Sequence, residues 1–326
     1  MTTRTILTRL IVLGVISALW IVCLPSRRQL CQAASACLAG KQFCYRESVN
    51  LGSLINTSAF DGGPSISGDG LTLYFTSGRT GALGQAEGHY DEDLYVTTRD
   101  TILDPFGPPE HLSPPVNSTY FDVAPEISAD GLALFFVSNR PGGFGGGEFW
   151  PGADIWVTTR RTTSDAWGSP ENLGPSVNSP YHDGILSVSA DGKTLYLSSD
   201  RPGGIGGLDI WVATRDDGAG VFGPALNLGS PINTVGDDFA PEVTADGKKL
   251  FFASSRPGSV GFVNLWVAIR KHRDDPWGEP VSLDTVNSFS FQAKASVWGN
   301  GQELFFMSAR PGGFGDLDIW RTVIAR

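Results

Sequence analysis

Four aspartates and one glutamine share one place in a repeated sequence pattern, eight residues before an Asp-Gly or Asn-Gly turn. They are Asp61, Asp122, Asp183, Asp238 and Gln292. Carboxylates that meet around one axis raise one another's pKa unless a cation or backbone N–H groups compensate. The set could therefore bind a cation such as calcium or contact a ligand directly. Alternatively, each aspartate caps the loop that precedes it.

A second group of candidate binding residues lies where the repeats differ. The segment between a repeated arginine and a repeated Asp/Asn-aliphatic-aromatic triplet spans 14 positions in the first two repeats and 8 in the others. The longer segments contain His89 and Tyr90 in one repeat and Phe149 and Trp150 in the next. Aromatic rings beside carboxylates suit a sugar, a cationic group or a peptide. His182 is a further candidate on the same face. The alternative is that the two insertions only cover the edges of the blades.

Three markers recur five times in the same order and define the repeat. The turn aspartates are Asp69, Asp130, Asp191 and Asp246, with Asn300 in the fifth copy. The arginines that follow ten residues later are Arg79, Arg140, Arg201, Arg256 and Arg310. The triplets begin at Asp93, Asp154, Asp209, Asn264 and Asp318. Self-similarity at such spacing is the signature of a repeat architecture.

The segments inside each repeat predict four short antiparallel strands. Runs such as 71–77 and 132–138 are rich in β-branched and aromatic residues and are bounded by Gly, Asp or Asn. No helical pattern separates them, so each repeat is one blade of an all-β, five-bladed β-propeller. Residues 45–52 align with the fourth-strand segment 167–174, which the last repeat lacks. We therefore expect the N-terminal strand to complete the last blade and close the ring.

These motifs resemble the WD40-like repeats of TolB-type propellers. The resemblance rests on the Asp-Gly turn, the Asp-Ile-Trp strand and the Ser-x-Arg-Pro-Gly-Gly stretch at 138–143, 199–204 and 308–313. It covers residues 45–326. The resemblance implies a secreted binding scaffold with a protein partner.

The repeated residues themselves favour a structural role. The arginine fork can satisfy carbonyls or the aspartate of the third strand. The Trp and Phe positions should pack between blades. The Gly-Gly-x-Gly segments, such as 203–206, are similar to calcium-binding nonapeptides, but their spacing favours tight turns.

The N-terminal region predicts export. Residues 10–24 form an uninterrupted apolar run preceded by Arg4 and Arg9, as in a secretory signal. We divide the chain into a signal peptide or N-terminal anchor at 1–36, a cysteine-containing linker at 37–44 and the propeller at 45–326. All four cysteines precede residue 45, so a Cys37–Cys44 tether or lipidation of Cys37 is open. The location is periplasmic, secreted or membrane-anchored.

Charge and composition restrict the partners. The formal net charge is −10, which argues against nucleic acid because an acidic surface gains no counterion-release energy from phosphates. A protein, a peptide or a glycan is the expected partner of a monomeric chain, with a membrane tether through the N-terminus as an option. No cofactor is indicated beyond the calcium alternative.

The sequence thus favours an extracytoplasmic, non-catalytic binding propeller. The sequence contains no Gly-x-Ser-x-Gly nucleophile elbow and no His-Glu-x-x-His zinc motif. The rival hypothesis is a carbohydrate hydrolase. Asp61, Asp122 and Asp183 would then supply a base and a stabilising carboxylate, and Glu126 or Glu242 the acid.

Overall fold

The computed structural model describes residues 44–83, 92–145, 152–216 and 220–325. These residues form twenty β-strands in five four-stranded antiparallel sheets, which are the five blades of a propeller. The predicted all-β fold is confirmed. No helix in the described part of the chain has the length and apolar character needed to cross a membrane.

The first two blades consist of strands β2 to β9. Blade 1 contains β2 (Asp61–Ile66), β3 (Thr72–Ser77), β4 (Asp93–Thr98) and β5 (Glu110–His111). Blade 2 contains β6 (Asp122–Ile127), β7 (Ala133–Ser138), β8 (Asp154–Thr159) and β9 (Glu171–Asn172). In each blade the strands are hydrogen-bonded in sequence order.

Blades 3 and 4 repeat this order. Blade 3 contains β10 (Asp183–Val188), β11 (Thr194–Ser199), β12 (Asp209–Thr214) and β13 (Leu226–Asn227). Blade 4 contains β14 (Asp238–Val243), β15 (Lys249–Ser254), β16 (Asn264–Ile269) and β17 (Val281–Ser282).

Blade 5 joins the two ends of the described chain. It contains β18 (Gln292–Trp298), β19 (Glu303–Ser308) and β20 (Asp318–Val323), and its outermost strand is β1 (Val49–Asn50). Val49 lies opposite Arg321 and Asn50 opposite Trp320. The Arg46 N–H also donates to the Val323 carbonyl at 2.8 Å. The predicted closure of the ring by the N-terminal strand is confirmed.

Apolar side chains fill the space between neighbouring blades. At the junction of blades 1 and 2, for example, Tyr74 and Leu94 pack against Phe136 and Trp156. The junction of blades 5 and 1 uses the same layout, with Phe75 and Tyr95 against Phe305. The Trp and Phe positions of the repeat therefore pack between blades, as the sequence predicts. Burying this surface is the main favourable term that holds the blades together.

The Asp-Gly turns close the hairpins between the first two strands of each blade. In blade 1 the carboxylate of Asp69 accepts hydrogen bonds from the Ser67 hydroxyl at 2.5 Å and from the Leu71 N–H at 2.9 Å. Gly70 has φ +77°, a left-handed conformation that glycine adopts without steric cost. The turns lie on one face of the ring, here called the turn face. The loops that lead into the innermost strands lie on the opposite face, the entry face.

The closing strand gives a direct test of ring closure. The Asn50 side chain donates to Asp318 at 2.7 Å and accepts from the Gly52 N–H and from Asn56. We expect Asn50→Ala to lower the free energy of unfolding by about 1–3 kcal/mol, because it leaves these partly buried groups without partners. Val49→Ala, at a side chain 64% exposed in the same strand, should change it by less than about 0.5 kcal/mol. Equal effects in urea denaturation would contradict the closure.

Candidate functional site

The predicted aspartates lie where the innermost strands begin, at the entry face, and their side chains are fully buried. Each carboxylate is held by its own blade. Asp61 accepts from the Thr57 N–H at 2.5 Å and the Thr57 hydroxyl at 2.7 Å on one oxygen. Its other oxygen accepts from Ser77 and Arg79. This loop-capping arrangement is one of the alternatives that the sequence left open.

The same network recurs in blades 2, 3 and 4. The carboxylate of Asp122 is bound by Ser118 and Arg140, that of Asp183 by Ser179 and Arg201, and that of Asp238 by Thr234 and Arg256. The Arg-to-Asp distance is 2.5–2.9 Å in blades 1, 2 and 4. A charge-assisted bond of this kind is about twice as strong as a neutral one. A ligand that used these oxygens would have to displace the bonds of the loop.

The repeated arginines also explain the Ser-x-Arg-Pro-Gly-Gly sequence. The Arg140 Nε–H donates to Ser138 at 3.0 Å, and its guanidinium lies 4.8 Å from the centre of the Phe136 ring. It also donates to the Val116 carbonyl at 2.5 Å. The partner predicted from sequence was a carbonyl or the third-strand aspartate. The structure shows the predicted bond to a carbonyl. The carboxylate that pairs with the arginine, however, belongs to the first-strand aspartate and not to the third-strand one.

The glycine pair after this arginine makes room for the third-strand aspartate. A methyl group on Gly143 would lie 2.7 Å from the carboxylate of Asp154. That carboxylate accepts the Phe144 N–H at 2.7 Å and the Asn172 amide at 2.7 Å. These loops are tight turns built around an aspartate, as their spacing predicts. Within the described residues, no group of three or more His, Cys, Asp or Glu is arranged to hold a metal ion.

The other predicted site residues divide into two sets. His182 is 2% exposed, and its backbone N–H donates to the Asp200 carboxylate at 2.8 Å. Burial lowers the pKa of its imidazole, although Asp200 and Asp183 act in the opposite direction. His89, Tyr90, Phe149 and Trp150 lie outside the described residues. Their role in binding remains a prediction.

The axis of the ring is closed by hydrogen bonds between consecutive blades. The fifth residue of each innermost strand is Ser65, Glu126, Ser187, Glu242 or Ser296. A side-chain oxygen of each accepts the N–H of the sixth residue in the next blade, namely Ile127, Val188, Val243, Val297 and Ile66. The five distances are 2.9–3.4 Å. We call this circle the axial belt.

A bulge in each innermost strand turns these residues toward the axis. The third residue has positive φ in every blade, from 29° at Ile185 to 58° at Gly63. Four of the five are not glycine, so the conformation is strained and must be held by its surroundings. The Thr76 hydroxyl, for example, accepts the Ala124 N–H at 2.9 Å. The period-2 hydrophobic pattern of these strands does not indicate the bulge.

Lys294 crosses the axis and pairs with both axial glutamates. It is fully buried in blade 5, and its ammonium lies 3.0 Å from Glu126 and 3.7 Å from Glu242. It also donates to the Leu186 carbonyl of blade 3 at 3.2 Å. Burial acts to lower the pKa of this amine, but the two glutamates outweigh it and raise the pKa. In the sequence, the feature that could have indicated this buried amine is a lysine in an innermost strand whose other residues are mostly small or apolar.

Glu242 is the axial group whose ionisation is most affected by its surroundings. Burial first, and then the neighbouring Glu126, raise its pKa to about 8, although Lys294 opposes the shift. At neutral pH this glutamate therefore favours its protonated form. A general acid needs such a pKa, but it also needs contact with solvent and substrate. Glu126 and Glu242 are 5% and 6% exposed and are already bonded to the ring.

Exposed apolar side chains concentrate on the entry face. One repeat position, four residues after the arginine, carries such a side chain in all five blades. These side chains are Leu83, Phe144, Ile205, Val260 and Phe314, with exposures of 38–50%. Others on this face are Leu54, Tyr120, Tyr181, Val235, Phe262 and Phe289. Among the described residues the turn face has only two exposed large apolar side chains, those of Leu103 and Val221.

Comparison with known proteins identifies the fold. No protein-family model matches the chain, and no curated protein matches it. An α-L-arabinofuranosidase from Lactobacillus brevis is 14% identical, with coverage of 83% of this chain and 91% of that chain and a TM-score of 0.53. A GH43 endo-arabinanase from Bacillus licheniformis is 17% identical, with coverage of 81% and 94% and a TM-score of 0.52.

TolB-type propellers are also among the matching structures. TolB from Acinetobacter baumannii is 18% identical over 81% of this chain, with a TM-score of 0.46. This chain spans about half of that protein, since the match covers 54% of it. The strand order of the five sheets, and not this match, confirms the expected repeat propeller as a fold. At these identities the matches establish architecture and do not assign an activity.

The role of the buried aspartates can be tested by stability. We expect Asp122→Ala to lower the free energy of unfolding by about 3–5 kcal/mol, because it leaves the Arg140 charge largely buried and unpaired. Asp100→Ala, at an exposed aspartate, is the control and should have little effect. An unfolding free energy that Asp122→Ala leaves unchanged would show that this carboxylate is free to serve a ligand.

The raised pKa of Glu242 predicts a pH dependence of stability. A carboxyl whose pKa is higher in the folded than in the unfolded state binds a proton on folding between those two values. The contribution of Glu242 to the free energy of unfolding is therefore fully present below about pH 4.5 and is lost as the pH rises through about 8. The difference in unfolding free energy between Glu242→Gln and the wild type should rise with pH in this window. The slope is at most about 1.4 kcal/mol per pH unit.

Urea denaturation at several pH values measures this slope. Glu279→Gln, at an exposed glutamate outside the axis, is the matched control and should follow the wild type. Parallel curves for the wild type and Glu242→Gln would contradict a protonated Glu242.

Proposed function

We propose that this chain is an extracytoplasmic, non-catalytic binding propeller that presents its entry face to a protein, peptide or glycan. The observation that carries the proposal is the exposed apolar position that recurs in all five blades, at Leu83, Phe144, Ile205, Val260 and Phe314. Clustered exposed apolar side chains mark interaction surfaces on soluble proteins. Because the position recurs once in each blade, the repeat places five exposed apolar side chains on the entry face.

The loops of the entry face are suited to a binding role because neighbouring blades hold them in place. The Gly207 N–H donates to the Gly236 carbonyl at 3.3 Å, which joins a loop of blade 3 to a loop that leads into blade 4. A methyl group on Gly261 would lie 2.8 Å from the Phe289 carbonyl oxygen. Such loops lose little entropy when a partner binds.

An extracytoplasmic location is supported by two features. The apolar run at 10–24, preceded by arginines, has the layout of an export signal. Cys44 is disulfide-bonded. Disulfides persist in oxidising compartments and are rare in the cytosol.

The alternative is a carbohydrate hydrolase, since two of the similar folds reported above are arabinan-degrading enzymes by name. Its required groups would be Asp61, Asp122 and Asp183 with Glu126 or Glu242. The three aspartates are 0% exposed, and both glutamates are bonded within the ring. We therefore expect no turnover of arabinan by the wild type. Turnover that Glu242→Gln abolishes without unfolding the protein would favour the hydrolase.

The binding proposal is tested by comparing the two faces. A random peptide library and a glycan array are each bound to the full chain, and the affinities of recovered ligands are measured for two double variants. Phe144→Ser with Phe314→Ser, on the entry face, should weaken binding about tenfold or more, because aromatic side chains commonly dominate binding energy. Leu103→Ser with Val221→Ser, on the turn face, should leave it unchanged. Equal losses would contradict the assignment.

A further inference from the structure

The junction of blades 4 and 5 differs from the other four junctions in its charge. Each of the other junctions has an aspartate at the third-strand position of one blade and another at the first-strand position of the next, and the first-strand aspartate pairs with the repeated arginine. At the junction of blades 2 and 3, for instance, Asp154 is close enough to Asp183 for the second carboxylate to act on the pKa of the first. Arg201 pairs with Asp183 there. This junction thus carries two carboxylates and one guanidinium.

At the junction of blades 4 and 5 both carboxylates are replaced by amides. Asn264 stands at the third-strand position and Gln292 at the first-strand position. The Asn264 amide donates to the Gln292 side-chain oxygen at 2.7 Å. The Gln292 amide in turn donates to the Ser288 hydroxyl at 2.5 Å. The loop keeps its shape, but two negative charges are missing.

Arg310, the arginine of this junction, therefore has no carboxylate partner among the described residues. It donates to the Ser308 hydroxyl at 3.1 Å and to the Val286 carbonyl at 2.7 Å, and both acceptors are neutral. Its guanidinium lies over the rings of Phe306 and Trp320, at 4.8 and 5.2 Å from the ring centres. Burial lowers its pKa to about 10. A partly buried cation without an anion is costly, and a bound anion would relieve the cost.

Exposed aromatic side chains lie in the loops around Arg310. Its own loop carries Phe314, which is 50% exposed, and the loop whose Val286 carbonyl it contacts carries Phe289, which is 79% exposed. The adjoining loop of blade 4 adds Phe262, which is 64% exposed. The ligand must therefore place an anionic group beside apolar groups.

We propose that Arg310 is a carboxylate-binding site for a polypeptide, which presents an acidic side chain or a C-terminus beside an apolar residue. This inference rests on the proposed binding function and names the ligand group. A planar carboxylate matches the fork of a guanidinium. Its single charge balances one arginine, whereas a phosphate dianion would leave charge uncompensated in an acidic protein of net charge −10.

A polypeptide fits this place better than a sugar acid. Sugar hydroxyls need hydrogen-bonding groups that are available at the surface. Here the Ser288, Gln292 and Asn264 side chains already bond to one another. The most exposed large apolar side chains of these loops are the phenylalanine rings of Phe262, Phe289 and Phe314, and these match apolar side chains.

The decisive variant is Gln292→Asp, which restores the carboxylate that the other four blades carry at this position. The variant should fold, because the Asp–Arg pair is native to blades 1 to 4, and thermal unfolding verifies this. The new carboxylate would form an ion pair with the Arg310 guanidinium and so prevent the carboxylate of a ligand from binding there. Gln302→Asp is the control, since it adds the same charge at an exposed residue of the turn face.

The first measurement follows the Arg310 Nε–H signal by NMR during titration with 3-phenylpropionate. We expect a saturable shift in the wild type and in Gln302→Asp. The neutral amide of the same acid and the Gln292→Asp variant should each bind about 10- to 100-fold more weakly. Absence of saturable binding by the wild type, equal binding of the amide, or unchanged binding by Gln292→Asp would overturn the proposal. Tighter binding of inorganic phosphate or galacturonate would also overturn it.

The second measurement pans a random peptide library on the wild type and on Gln292→Asp in parallel. We expect Asp, Glu or a free C-terminus next to an aromatic or aliphatic residue to be enriched only on the wild type. Peptides that depend on the entry face but show no acidic preference would overturn this inference and leave the proposed function standing. Loss of entry-face dependence would instead contradict the proposed function.

Discussion

The axial belt is the constraint on which the rest of this propeller depends. Around the axis, the N–H of one innermost strand donates to a serine or glutamate oxygen of the preceding blade, and the first blade donates to the last. A buried N–H without a partner costs about as much as a lost hydrogen bond. The belt satisfies five such groups and fixes the rotation of each blade relative to the next. The third residue of each innermost strand, which has positive φ, lies two residues before the belt residue of the same strand.

The repeat uses its polar residues almost entirely within the structure. In blades 1 to 4 each first-strand aspartate accepts hydrogen bonds from at least three donors in its own blade, and each repeated arginine is held by a carboxylate, a hydroxyl and a carbonyl. Asparagines such as Asn117 bridge the main chain of the third strand to the loop that follows the fourth. A recurring polar group is therefore a poor guide to a binding site, even at the mouth of the ring. Departures from the repeat are better guides, because the scaffold does not explain them.

Two departures stand out among the described residues. One is the axial set of Glu126, Glu242 and Lys294, in which a buried amine links three blades. The other is the pair of amides at Asn264 and Gln292, which leaves Arg310 without an anion. The first closes the axis, so it strengthens the ring more than it opens a site. The second leaves a cation partly exposed on the face where apolar side chains collect.

The sequence by itself determined the fold, because the Asp-Gly turns, the aromatic third strands and the unmatched segment at 45–52 each depend on local spacing. Five blades and their closure follow from those spacings, and so does the capping role considered for the aspartates. The axial belt and the Arg310 environment were decided only by the tertiary structure. Their contacts join residues such as Lys294 and Glu126, which are 168 positions apart, and the bulge that turns them inward leaves no trace in the hydrophobic pattern. Gln292 was visible in the sequence as an exception, but its consequence for Arg310 required knowing which side chains share one junction.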